Sequence, residues 1–158
     1  MDGISLLETA ICDHPFLKVE DRNVVASICN KIRISDDPGS INVYFREQVD
    51  AESAITYLLN RYISLIEKLN QLMNKHRAEV FLGLGDKTEE GYKWTKQSKE
   101  ERLIATDSKY LIQLDQMNKA ENLINLLKGL NTIVFNRDRK LEQLSINYRR
   151  EFEADKRH

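Results

Sequence analysis

Residues 75–99 read KHRAEVFLGLGDKTEEGYKWTKQSK. This stretch holds three of the chain's six glycines, Gly83, Gly85 and Gly91, and its one tryptophan, Trp94. Glycine reaches backbone conformations closed to other residues, so such a cluster marks a turn. Long segments with helical spacing lie on both sides. The stretch therefore reads as the turn between two helical arms, and as the place where function is to be sought.

The first arm carries Ile55, Leu58, Leu59, Tyr62, Leu65, Ile66, Leu69, Leu72, Met73 and His76 at steps of three and four. Asp50 is a candidate N-cap, Glu52 suits the first turn, and no glycine or proline intervenes before Gly83. A helix over about 50–82 would run for about 50 Å at 1.5 Å per residue. A compact monomer of this size is about 30 Å across, so such a helix needs a partner helix. In the second arm, Ser98 with Glu101 has capping-box spacing. The apolar positions beyond it keep near-heptad spacing, as in a coiled coil. Leu114, Met117, Ile124, Leu127, Val134, Leu141 and Leu144 are the expected oligomerisation seam. At Asp107 two readings stand: the residue caps a fresh helix, or one helix runs through. The charged C-terminal end is expected to fray.

The N-terminal part divides into short pieces. Ile4, Leu6, Leu7, Ala10 and Ile11 suit a short helix that ends before His14-Pro15. Val19–Lys31 suits a second, with Asp21 as candidate cap. Residues 35–40, SDDPGS, read as a loop, and INVYF after them as helix or extended linker. The expected organisation is residues 1–48 as short helices and linker, then 49–158 as a helical hairpin with its tip at 75–102. The expected fold class is all-α: a long antiparallel, coiled-coil-like hairpin with a small N-terminal helical segment, oligomeric.

Composition narrows the function. The 158 residues carry 24 basic and 25 acidic side chains, a net charge of −1, so any nucleic-acid surface must be local or assembled from several subunits. Cys12 and Cys29 lie apart with no CxxC, which argues against zinc, and the three histidines are scattered. The acidic N-terminus lacks the basic start of a signal peptide, and no apolar run approaches the roughly 20 residues of a membrane span. A soluble protein of a reducing cytoplasm is the expectation. GLGD at 83–86 lacks the Lys-Ser/Thr of a phosphate loop, and adjacent acids such as Glu89-Glu90 diverge on a helix. No nucleophile–base constellation is present, so neither enzyme activity nor a cofactor is expected.

The tip has a chemistry of its own. Tyr92, Lys93, Trp94, Lys96 and Lys99 interleave cations and aromatics without an acid. Single-stranded nucleic acid requires this mixture: lysines for phosphates, rings for unpaired bases at about 1–3 kcal/mol per base. Lys75 and Arg77 precede the glycines, and Arg102 follows. The competing reading is a plain helical tip in which Trp94 and Phe81 close an apolar cap, with Asp86, Glu89 and Glu90 offsetting the lysines.

The run KHRAEVFLGLGD, with Lys75, Arg77, Phe81, Gly83, Gly85 and Asp86, resembles the basic–aromatic–glycine signature of the UvsY recombination mediators of T-even-type phages. LIATDSKYLIQLD, Leu103 to Asp115, and the Phe-Glu-Ala segment at Phe152–Ala154 extend the likeness over roughly residues 50–156. The chain departs from the pattern at Leu84, where the family has a second arginine, and at Val80, where it has an aromatic. The resemblance implies a non-enzymatic homo-oligomeric ring, heptameric in the family, in the cytoplasm of an infected bacterium. Its partners would be single-stranded DNA, the phage RecA-like recombinase and the phage single-strand-binding protein. Lys75, Arg77, Lys93, Lys96, Lys99 and Arg102 would meet phosphate, and Phe81, Tyr92 and Trp94 would stack. The alternative is a helical adaptor or structural coiled-coil protein that binds a partner protein through its apolar seam.

Overall fold

A short polar side chain and a proline bound the first helix. The Asp2 carboxylate accepts a hydrogen bond from the Ser5 amide at 2.7 Å and caps α1, Gly3–Cys12. Pro15 disfavours helical backbone at His14, so the helix stops short of it. There follow α2, Val19–Lys31; α3, Ile41–Gly83; α4, Lys96–Thr106; and α5, Ser108–Asp155. The computed structural model describes residues 2–33, 40–86, 88 and 90–155, and over these the chain is all-α with no β-strand. The loop expected at 35–40 falls outside the described residues except for Ser40.

Two helix starts differ from the sequence expectation. Asp21 does not cap α2. It sits in the first turn, 2% exposed, with its Oδ1 2.9 Å from Arg61 Nη1, while Glu20 receives Arg61 Nη2 at 2.6 Å. Helix α3 begins at Ile41, not near Asp50, because nothing in 41–49 breaks a helix. Asp50 lies inside α3 and pairs with Lys31 at 2.8 Å, an exposed contact of small energetic weight.

The chain forms two compact units, Met1–Arg61 with Leu123–His158, and Tyr62–Asn122. Residue 48 lies within α3, and its side chain belongs to the core of the first unit.

In the first unit, Ile11, Val25, Ile28, Cys29 and Ile32 are buried, as are Ala51, Ile55 and Leu58 of α3 and Leu123, Leu127 and Leu130 of α5. Burial pushes the Cys29 thiol up to about 12 and raises that of Cys12, so both stay protonated. His14 is buried too, and its Nδ1 accepts the Phe16 amide at 3.2 Å; desolvation lowers its pKa and keeps it neutral. Ile124, Leu127, Val134 and Leu141, expected to join subunits, are 0–6% exposed in the single chain. They are buried within this unit, where α5 meets α3 through Gln48 and Val134. Leu144 is half-buried there, and Leu114 and Met117 are half-buried in the second unit.

Two polar residues interrupt this apolar core and meet inside it. Gln48 lies in the stripe of α3 that includes Ala51, Ile55 and Leu58. Arg137 lies in the stripe of α5 between Val134 and Leu141. Arg137 Nη1 donates to Gln48 Oε1 at 3.0 Å and to the Tyr44 carbonyl at 3.2 Å. Gln48 Nε2 donates to the Val134 carbonyl at 2.8 Å and to Glu52 at 2.7 Å. Residues 44 and 48 thus meet 137 and 134, so within this unit the two segments run in opposite directions. A single slip in register would strand a buried cation, and such pairs are an attested means of fixing register.

Gly129 lies mid-helix in α5, where a methyl would meet only Leu7 Cδ2, at an ordinary 3.9 Å. Gly129→Ala is expected to stabilise the protein by about 0.5–1 kcal/mol, read as a higher urea midpoint at unchanged slope.

Candidate nucleic-acid interface

The second unit is built around a thin core of Tyr62, Leu103, Tyr110 and Ala120. Between α3 and α4 the loop is closed by backbone geometry. Gly85 and Gly91 take left-handed backbone at φ +68° and +86°. Thr88 donates its amide to the Tyr92 carbonyl at 2.7 Å, and its hydroxyl accepts the Tyr92 amide at 3.2 Å. The Trp94 amide donates to Asp86 O at 3.4 Å.

Helix α4 then starts on a capping box one turn earlier than the sequence suggested. Thr95 Oγ1 accepts the Ser98 amide and Ser98 Oγ accepts the Thr95 amide, each at 3.0 Å. Glu101, expected in that box, instead accepts from Gln97 at 3.0 Å. Asp107 ends α4 and caps α5, its Oδ1 accepting the Tyr110 amide at 2.9 Å. The second arm is therefore two helices. Asp107 Oδ2 lies 2.9 Å from His76 Nε2. The Tyr110 amide first, and His76 second, hold the Asp107 carboxyl below the usual carboxylate range.

The nine residues expected to touch nucleic acid all fall in this unit, and several of them pair with one another. Arg77, Phe81 and Lys99 gather together: Arg77 Cζ and Lys99 Nζ lie 5.6 and 5.7 Å from the Phe81 ring centroid. Lys99 also approaches the Phe81 carbonyl at 3.5 Å, where the last turn of α3 leaves carbonyls without helical partners. Arg77 pairs with Glu100 at 3.4 Å. Arg102 lies 5.4 Å from the Trp94 centroid, and Trp94 is half-buried. Phe81 and Trp94 thus each lie against a cation of the same unit. Lys75 lines a separate cleft with His76, Glu79 and Lys109.

Of the nine, five are exposed: Lys75 in its cleft, Arg102 against Trp94, and Tyr92, Lys93 and Lys96 on the loop and the start of α4. Tyr92 is 70% exposed, and Lys93 and Lys96 are exposed and form no ion pair among the described residues. Asp86 and Glu90 are exposed nearby and offset part of their charge. Sequence reading missed the buried Arg137–Gln48 pair. The signal was present as a polar residue at a core position in each stripe, but its meaning depends on the two positions facing each other.

Among the described residues no helix is long and apolar enough to cross a membrane, and no group of three or more His, Cys, Asp or Glu is placed to hold a metal ion. No protein-family model, no curated protein and no solved structure matches the chain.

Proposed function

We propose that the chain binds single-stranded DNA through the tip of its second unit, as an oligomeric recombination mediator. The observation that carries the DNA reading is the exposed Tyr92 beside Lys93, with Lys96 opening α4, both lysines exposed and without an ion pair among the described residues. A ring in solvent can stack on a base, and unpaired ammonium groups can replace the counterions of phosphate. The mediator role, with its recombinase and single-strand-binding protein as partners, rests on the likeness of Lys75–Asp86 to the UvsY signature. The antiparallel hairpin and the ring belong to the same reading. One tip of two lysines and one ring binds weakly, and several tips on one assembly multiply that affinity by avidity.

Titration of Trp94 fluorescence with a single-stranded oligonucleotide tests the reading. Tyr92→Ala is expected to weaken binding by about fivefold or more, from about 1–3 kcal/mol per stacked base. Lys93→Ala with Lys96→Ala should reduce the slope of log affinity against log salt by about 1.4, at about 0.7 per phosphate neutralised. Absence of binding at low salt, or an unchanged slope in the double variant, overturns it.

A second reading, an adaptor for a partner protein, is favoured by exposed apolar residues in the same unit. Leu72, Leu82 and Ile112 are 57%, 84% and 61% exposed. It predicts a small fixed stoichiometry by light scattering and no response of Trp94 to DNA.

A further inference from the structure

Positions 135, 139, 142, 146 and 149 of α5 follow one another at steps of four and three, so they share one face of the helix. It is not the face that carries Val134 and Leu141 into the core of the first unit. Phe135 and Ile146 stand on it 57% and 50% exposed, among Arg139, Glu142 and Arg149, which are exposed too. The exposed charges between 135 and 150 are Arg139, Lys140, Arg149 and Arg150 against Glu142, with Asp138 half-buried beside them. None of the four cations forms an ion pair among the described residues. Cations left in solvent in this excess suit a polyanion.

Two further features narrow the kind of polyanion. Arg139 Cζ lies 5.7 Å from the Phe135 ring centroid. An aromatic ring and a guanidinium plane are both surfaces on which unpaired bases stack. Along the same face a groove of about 470 Å³ opens between the start of α3 and the end of α5. Phe45 and Ile146 give it an apolar lining, Ser145 and Glu142 a polar one, and Arg149 a cation. Bare cations alone would take any polyanion. A ring in solvent and an apolar groove beside arginines take one that carries flat apolar faces. A duplex hides the faces of its bases and a single strand offers them.

We propose that this face of α5 is a second surface for single-stranded nucleic acid, with Arg139, Arg149 and Arg150 meeting phosphates, Phe135 stacking on one base and the groove at Phe45 and Ile146 receiving another. It rests on the DNA reading for its ligand, but it lies on the other unit and shares no residue with the tip.

The test is the anisotropy of a fluorescein-labelled oligothymidylate titrated with the full chain over a series of salt concentrations. Arg139→Ala with Arg149→Ala and Arg150→Ala is expected to lower the slope of log affinity against log salt by about 2, at about 0.7 per phosphate neutralised. Phe135→Ala is expected to weaken binding by about fivefold or more, and Phe135→Trp to keep it. All four positions are exposed, so the thermal midpoints of these variants should stay within a degree or so of wild type, which separates lost binding from lost folding. An unchanged slope in the triple variant, beside a lowered slope in Lys93→Ala with Lys96→Ala, overturns this surface and leaves the tip. Absence of binding by the wild-type chain at low salt overturns both. Polyglutamate that competes as well as unlabelled oligothymidylate, with Phe135→Ala binding like wild type, marks a surface for an acidic protein and overturns the nucleic-acid assignment.

Discussion

Leu127→Ala is expected to lower the unfolding free energy by about 2–5 kcal/mol, the usual range for removing a buried leucine and leaving a partly relaxed cavity. Leu127 is fully buried, in the middle of the stripe shared by Leu123, Leu130 and Val134. Domains are typically stable by about 5–15 kcal/mol, so the loss is a large part of the total. Urea unfolding at two protein concentrations separates the two roles open to this residue. As intrachain core, Leu127→Ala shifts the midpoint equally at both concentrations. As a seam between subunits it would make the midpoint depend on concentration and would dissociate an oligomer before unfolding it. Ile112→Ala is the control: at 61% exposed it should change stability by no more than about 0.5 kcal/mol.

Arg137→Ala should be nearly as damaging, by roughly 2–4 kcal/mol. The substitution removes the partner of Gln48 Oε1 and the Tyr44 carbonyl in a place where water does not replace it, and leaves a hole where the arginine stem packed. The informative variant is the pair. Gln48→Leu with Arg137→Met puts apolar groups of similar volume at both positions and is expected to restore stability to within about 1 kcal/mol of wild type, since apolar replacement of a buried polar pair is often neutral or better. The double-mutant cycle then gives a coupling energy of about 1–3 kcal/mol between the two sites. A cycle that closes additively would show that the hydrogen bond at 3.0 Å carries no weight.

The two halves of the second arm show how far local chemistry reaches. Asp107 was legible as a possible helix start because a short carboxylate after Ala105-Thr106 can take an orphan amide. That local competition could not be decided without His76, which approaches from α3 and holds the other oxygen. The capping box was misplaced by one turn for a related reason. Ser98-Glu101 and Thr95-Ser98 both satisfy the spacing, and the loop that closes through Thr88 and Tyr92 delivers the chain to Thr95 in extended backbone. The expected DNA surface was read as a list of residue types. In the folded unit, side chains of the right type meet each other first: Arg77 and Lys99 with Phe81, Arg102 with Trp94.

What the amino-acid sequence determined by itself is the all-α class, the extent of α1 and α2, the turn around Gly83–Gly91 and the residues able to form a core. These follow from interactions within a few positions: caps, glycine and proline backbone limits, and apolar spacing at the helical period. Tertiary structure decided which stripe covers which. It turned Leu127 and Val134 into intrachain core, drew Arg137 and Gln48 into contact, and left Tyr92, Lys93 and Lys96 facing solvent. The physical reason is that a helix's pattern says which face is buried but not by what. Choosing among possible covers depends on contacts between residues as far apart as 48 and 137, which no local preference encodes.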